Sequence, residues 1–162
     1  MDEQVKLRSK EDVEHKLSRK AAEVSVLIKN TLQDASVDDP IPLLEVEEKI
    51  LVKIIEYLEH FNGVPPAEIE KPLKSQVLKE VTDEWSATFI DILTLEILVD
   101  LTVAANYMEI QALLDLCCAK IASMCKDKTE EEIFKTFGIT ETFTEEEKAK
   151  IREENKWIEE NL

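Results

Sequence analysis

Apolar and polar residues alternate over residues 5–9 (VKLRS) and again over 13–17 (VEHKL). Alternation sends every second side chain to one face, so the pattern predicts two strands joined at SKED into an antiparallel hairpin. His15 falls on the face shared by Val13 and Leu17 and reads as a half-buried histidine with no acid or cysteine constellation beside it. The spacing then changes. Residues 19–35 predict one or two short helices with Leu27, Ile28 and Leu32 on one side, ended by DDP at 38–40. Residues 41–46 (IPLLEV) predict a third short strand. Residues 47–61 predict an amphipathic helix, because Ile50, Leu51, Ile54, Ile55 and Leu58 recur at helical spacing. Asn62-Gly63 supplies its stop.

Residues 62–76 carry three of the five prolines and predict an exposed, mobile loop. Beyond residue 83 the pattern is helical throughout. A short helix carries Trp85 and Phe89. Residues 94–108 are apolar nearly all round and predict a helix buried on several sides, followed by a helix over 110–126 with Leu113, Leu114, Cys117 and Ile121 inward. Thr129–Glu132 and Thr144–Glu147 each fit Thr-x-x-Glu, the capping box that opens a helix. Gly138 ends the first of these helices; the second is expected to run to the end of the chain. Its sizeable apolar groups are few, chiefly Ala149, Ile151, Trp157 and Ile158, so it gains little by packing on its own domain. Trp157 is therefore either a tether to the core or a contact for a partner.

Composition narrows the class. Two glycines in 162 residues argue against an all-β fold, which depends on tight turns. With 44% hydrophobic residues a core is available. The formal net charge of −16 repels phosphate, so neither nucleic acid nor an anionic membrane is an expected partner. No apolar leader opens the sequence, and the most apolar window, 92–108, is short for a bilayer span. A soluble intracellular protein is expected. Three cysteines, with no Cys-x-x-Cys, predict buried thiols in a reducing compartment. Two histidines without metal spacing, and the lack of any phosphate-binding loop or nucleophile elbow, predict no catalytic residue, no metal and no cofactor. The composition favours a binding module. Within AANYMEIQALLDL (104–116) the polar pair Asn106 and Tyr107 stands in an apolar run. It is either a helix-end polar group beside a core tyrosine, or part of a surface made for another protein.

Five stretches in register carry a resemblance over nearly the whole chain: VKLRS, DDPIPLLEV, AANYMEIQALLDL, KTEEEIFKTFGI and FTEEEKAKIREENKWIEEN. Together they resemble the Skp family, the adaptor subunits of Skp–cullin–F-box (SCF) ubiquitin ligases. The resemblance implies an α+β, mostly helical fold: a BTB/POZ-type α/β unit with a short three-stranded sheet over 1–126, with a loop at 62–82, and a C-terminal helical extension over 127–162. It implies a non-catalytic adaptor of the cytoplasm and nucleus. The first part would bind the N-terminal domain of a cullin, and the second, with the end of the first, would hold F-box proteins. By the same match Asn106 and Tyr107 face the cullin. Leu98, Val99, Thr102, Leu116, Phe137, Ile139, Phe143, Ile151 and Trp157 meet the F-box, and the free chain forms a weak homodimer. Val99 and Thr102 depart from the family's pattern, where a larger aromatic and an aliphatic residue are usual. Glu145 stands where some members carry a proline that is hydroxylated and glycosylated. Two alternatives share the same fold: an elongin-C-like adaptor, and a BTB/POZ scaffold of an assembly such as a kinetochore complex.

Overall fold

In the computed structural model, which describes residues 3–34, 39–140 and 143–159, alternation does set the first elements. Strands β1 (Gln4–Arg8) and β2 (Glu14–Ser18) pair antiparallel with Val5 opposite Leu17 and Leu7 opposite His15. Val5, Leu7 and Leu17 are buried and face one core. The connection turns on Asp12 at φ 65°, a left-handed conformation that aspartate tolerates better than most residues. Strand β3 is only Ile41–Pro42, parallel to β1, giving the order β2-β1-β3. The expected strand over 41–46 is shorter: the Leu43 N–H still donates to the Arg8 carbonyl (2.8 Å), and the chain leaves the sheet at that point. The chain then turns, with the Val46 N–H donating to the Leu43 carbonyl (3.1 Å).

Helices α1 (Arg19–Ala22) and α2 (Val26–Asp34) follow the hairpin, and Ile28 and Leu32 are buried as the spacing predicts. Of the expected terminator at 38–40, Asp38 lies outside the described residues. Helix α3 (Glu48–Phe61) buries Ile50, Leu51, Ile54, Tyr57 and Leu58. Its N-terminus is capped from a distance: the Glu11 carboxylate, in the hairpin turn, accepts from the Glu48 N–H (2.7 Å). Its end is the expected one. Asn62 takes a left-handed conformation, and Gly63 at φ 81° has no room for a Cβ, which would lie 2.8 Å from Lys20 Cγ. The loop beyond is largely exposed, yet Ile69 and, after it, Leu78 in a 3₁₀ turn (Leu78–Glu80) pin it to the core.

Helix α4 (Glu84–Asp91) is joined to α3 by aromatic rings. Trp85 stacks on Phe89 at 5.0 Å, His60 stacks on Trp85 at 3.7 Å, and Tyr57 lies 5.8 Å from Phe89. Helices α5 (Leu95–Tyr107) and α6 (Gln111–Cys125) pack on each other, and α5 also packs on α3. Cys117 is buried as expected, but Cys118 is exposed and Cys125 half-buried. His15 is half-buried, and an acid does accompany it: Glu48 Oε1 lies 3.7 Å from Nε2.

The chain divides into two compact units, Met1–Lys126 and Asp127–Leu162. The second contains α7 (Glu130–Phe137), α8 (Glu145–Glu154) and α9 (Lys156–Glu159). Both capping boxes form: the Thr129 and Thr144 hydroxyls accept from the N–H of Glu132 (3.3 Å) and Glu147 (3.2 Å), and those carboxylates accept in return from the threonine N–H groups. Gly138 ends α7 at φ 66°. The last helix is not continuous. It breaks at Asn155, whose side-chain amide donates to the Ile151 carbonyl (2.8 Å), a local bond that competes with the helical ladder.

Asp83 tests the capping argument by pH. Its carboxylate accepts from the Ser86 N–H (2.9 Å) and hydroxyl (2.7 Å). Burial pulls the carboxyl up, but these bonds outweigh it and hold the pKa below the usual value. A lowered folded-state pKa means stabilisation that is present above the unfolded carboxylate range and lost as pH falls through the folded value. Urea unfolding of Asp83→Ala at pH 7 should show a loss of about 1 kcal/mol, typical of a cap. The difference from the unaltered chain should shrink on acidification; a pH-independent difference contradicts the assignment.

Candidate protein-binding surface

Helix α5 is apolar on both sides, but only one side is buried. Leu98, Leu101, Ala104 and Ala105 face inward. Val99 (46% exposed), Val103 (64%), Asn106 and Tyr107 (36%) face outward, so the expectation of burial on several sides is corrected. Residues 99, 103 and 107 are spaced by one helical turn and form one stripe. Asn106 and Tyr107 therefore stand at the surface, not in the core. Acidic groups flank the stripe: Lys49 on α3 bridges Glu47 (3.2 Å), Glu96 (3.6 Å) and Asp100 (3.6 Å). Its hydrogen bond to Glu47, with the neighbouring carboxylate charges, raises its pKa. A shallow groove of about 110 Å³ runs between the stripe and the start of α3, floored by Val46, Ile50 and Ala104 and walled by Glu45 and Val103. Leu44, just before it in the chain, is 68% exposed. Sequence reading missed Val103 and Leu44. The signal for Val103 was present, one turn from Val99 and from Tyr107, but hydrophobicity alone does not separate an outward valine from an inward one.

Several residues expected at the F-box prove to be structural. Leu98 and Leu116 are 1% and 2% exposed and belong to the core of the first unit, not to its outer surface. Thr102 is half-buried: its hydroxyl donates to the Leu98 carbonyl (2.7 Å) and it hydrogen-bonds the Cys117 thiol. Burial pushes that thiol up to about 12, and the Thr102 bond offsets only part of the effect. Such a thiol is inert at neutral pH.

In the second unit no residue of α7 or α8 is buried. Phe137 is half-buried, while Ile139, Phe143, Ile151, Trp157 and Ile158 are 40–62% exposed. The break at Asn155 means that Ile151 and Ile158 do not share one continuous helical stripe. Among the described residues no group of three or more His, Cys, Asp or Glu is placed to hold a metal ion, and no helix is long and apolar enough to cross a membrane. The chemistry on offer is apolar contact with an acidic rim, spread over both units.

Residues 3–63 match the family model described as Skp1 family, tetramerisation domain, and residues 111–158 the one described as Skp1 family, dimerisation domain. Over 156 residues the chain is 49% identical to the S-phase kinase-associated protein 1 homolog of Tetrahymena thermophila, covering 96% of this chain and 94% of that protein. The chain belongs to the Skp1 family. It is also 43% identical over 157 residues to the E3 ubiquitin ligase complex SCF subunit sconC of Arthroderma benhamiae (96% and 95% covered). The protein of the same name from Talaromyces marneffei is 41% identical over 160 residues (98% and 99%). The fold agrees: a BTB/POZ-type α/β unit with a small three-stranded sheet and a helical extension.

The division of α5 into an inner and an outer face is directly measurable. Leu98→Ala should lower the unfolding free energy by about 2–5 kcal/mol, as core truncations do. Its neighbour Val99→Ala should cost about 0.5 kcal/mol or less. Similar losses for the two variants in urea titrations contradict the assignment.

Proposed function

We propose that this chain is a non-catalytic adaptor subunit of an SCF-type ubiquitin ligase, joining F-box substrate receptors to a cullin. The observation that carries the reading is the near-full-length similarity to proteins named as SCF subunits, which spans both units. The match to residue 158 favours it over an elongin-C-like adaptor. The physical character of the surfaces supports it. An adaptor works by holding two proteins at once, and each unit of this chain carries its own exposed apolar groups. The outer end of α5 is assigned to the cullin: Tyr107 offers a rigid ring and a hydroxyl, and Asn106 an amide, at the edge of an apolar stripe. The exposed Ile139, Phe143, Ile151 and Trp157 of the second unit are assigned to the F-box. When no receptor is bound, the same groups favour a weak homodimer. The complex operates in the cytoplasm and nucleus.

Two substitutions in the full chain test the two assignments separately. Replacing Asn106 and Tyr107 together by alanine should weaken binding to the cullin N-terminal domain by about 2–4 kcal/mol. Binding to an F-box protein and the urea midpoint should not change, because both side chains are exposed. Trp157→Ala should weaken F-box binding by about 2 kcal/mol or more and leave cullin binding intact. Calorimetric titration of each variant against each partner reads out the four affinities. Cullin binding unaffected by the double substitution removes α5 from that interface.

A further inference from the structure

Away from the outer face of α5, the first unit contains a cavity of about 380 Å³, bounded by the 62–76 loop, α3, and the start of α6. That volume falls within the range of small-molecule sites, roughly 300–1,000 Å³. Its sides are apolar, with Val24, Ile69 and Leu116 prominent and Pro65 and Pro66 contributed by the loop. The loop is held there by buried Ile69 and by an ion pair between Lys71 and Asp115 (3.2 Å).

Two features show what this cavity is suited to take. The first is Tyr57. It lines the cavity, is 1% exposed, and its hydroxyl makes no hydrogen bond within the described protein. Buried phenol hydroxyls normally have a partner. Burial, with the nearby charges of Asp83 among others, raises its pKa far above the ordinary tyrosine value, so it stays protonated and offers an oxygen lone pair as well as an O–H. The second feature is charge. Glu68, Glu109 and Asp115 line the cavity and no lysine or arginine does. Asp115 is answered by Lys71, whereas Glu68 and Glu109 have no ion pair among the described residues. An anion would meet uncompensated negative charge there; an ammonium group would meet acceptors.

We propose that this cavity is a binding site for a small organic cation, an amine carried on an apolar body. The body lies against Ile69, Leu116 and the two prolines. The ammonium group donates to the Tyr57 oxygen and is held by the carboxylates of Glu68 and Glu109. The assignment uses none of the residues that the proposed function gives to the cullin or the F-box; Leu116, which the resemblance places at the F-box, here lines the cavity.

The test is a titration of the full chain with 2-phenylethylamine, followed by the amide shifts of Gln111 and Ala112, at constant ionic strength. Its neutral and anionic counterparts, 2-phenylethanol and phenylacetate, are run alongside. The amine should saturate with a Kd on the order of 1 mM, as suits a ligand of this size. The alcohol should bind more weakly and phenylacetate not at all. Tyr57→Phe removes only the unpartnered hydroxyl, so it should fold normally and weaken the amine by about threefold to tenfold, the worth of one hydrogen bond. Ala67→Trp, at an exposed loop position lining the cavity, should abolish binding. The assignment is overturned by a response without saturation, which would mean a cavity holding water alone. It is equally overturned by comparable binding of phenylacetate, by unchanged affinity in Tyr57→Phe, or by binding that survives in Ala67→Trp.

Discussion

Helix α5 is held from two sides at once, by α3 and α6, and the rest of the first unit is arranged around that double contact. Small residues allow it. Ala104 and Ala105 are almost wholly buried, and with no side chain beyond Cβ they let the neighbouring helices close in. Met108 and Ile110, also buried, fill the turn that leads into α6. The turn is tight: Glu109 takes a φ of 53°, and the Ile110 N–H donates to the Ala105 carbonyl (2.9 Å). Ser25 fastens it from the far side of the sequence, its hydroxyl donating to the Met108 carbonyl (2.5 Å). Asn106 and Tyr107 sit just before this clamp, so their exposure is a consequence of core packing and not of a loose helix end. A surface built on so rigid a base loses little entropy on binding.

The second unit follows another logic. Its helices are eight and ten residues long before the break, lengths at which a helix is marginal in water. Each carries a full capping box, so its ends are specified locally, yet neither buries a residue. Local signals thus define where the helices start, while the apolar contact that would stabilise them is left for another surface to provide. A segment of this kind orders further when it binds, and part of the interaction energy is spent on that ordering.

Much of the fold was legible in the sequence, and the exceptions have physical causes. The hairpin, α3 and both capping boxes were readable because each has a local pattern: alternation, helical spacing, or Thr-x-x-Glu. Strand β3 was overestimated because the pattern of 41–46 does not show the turn that follows Leu43, closed by the Val46 N–H on the Leu43 carbonyl. The inward turn of Tyr57 was missed because its hydroxyl suggests water, whereas its ring completes the cluster with Phe61 and Phe89. The site was half-legible. Asn106 and Tyr107 were marked by their polarity within an apolar run. The outer face of α5 was not, because Val99 and Val103 carry the same hydrophobicity as Leu98 and Leu101. Spacing finds a helix's apolar face only when the other face is polar, and here the outward face is apolar too. The burial of Leu98 and Leu116 was missed for the same reason reversed: motif position says which residues are apolar, not which of them the core already uses.

Exposed apolar groups on two units would ordinarily invite aggregation. The charge of −16 opposes it, because two copies of the chain approach with like-signed surfaces. The opposition is selective. Around the α5 stripe the rim is built from Glu45, Glu47, Glu96 and Asp100, with Lys49 drawn in among the last three. A second copy brings the same acids and is repelled, while a partner with a basic rim is drawn toward the stripe before the apolar contact forms. The acidic composition therefore does more than keep the chain in solution. It also sets which surfaces the stripe can meet, since an acidic rim repels its own copy and attracts a basic one.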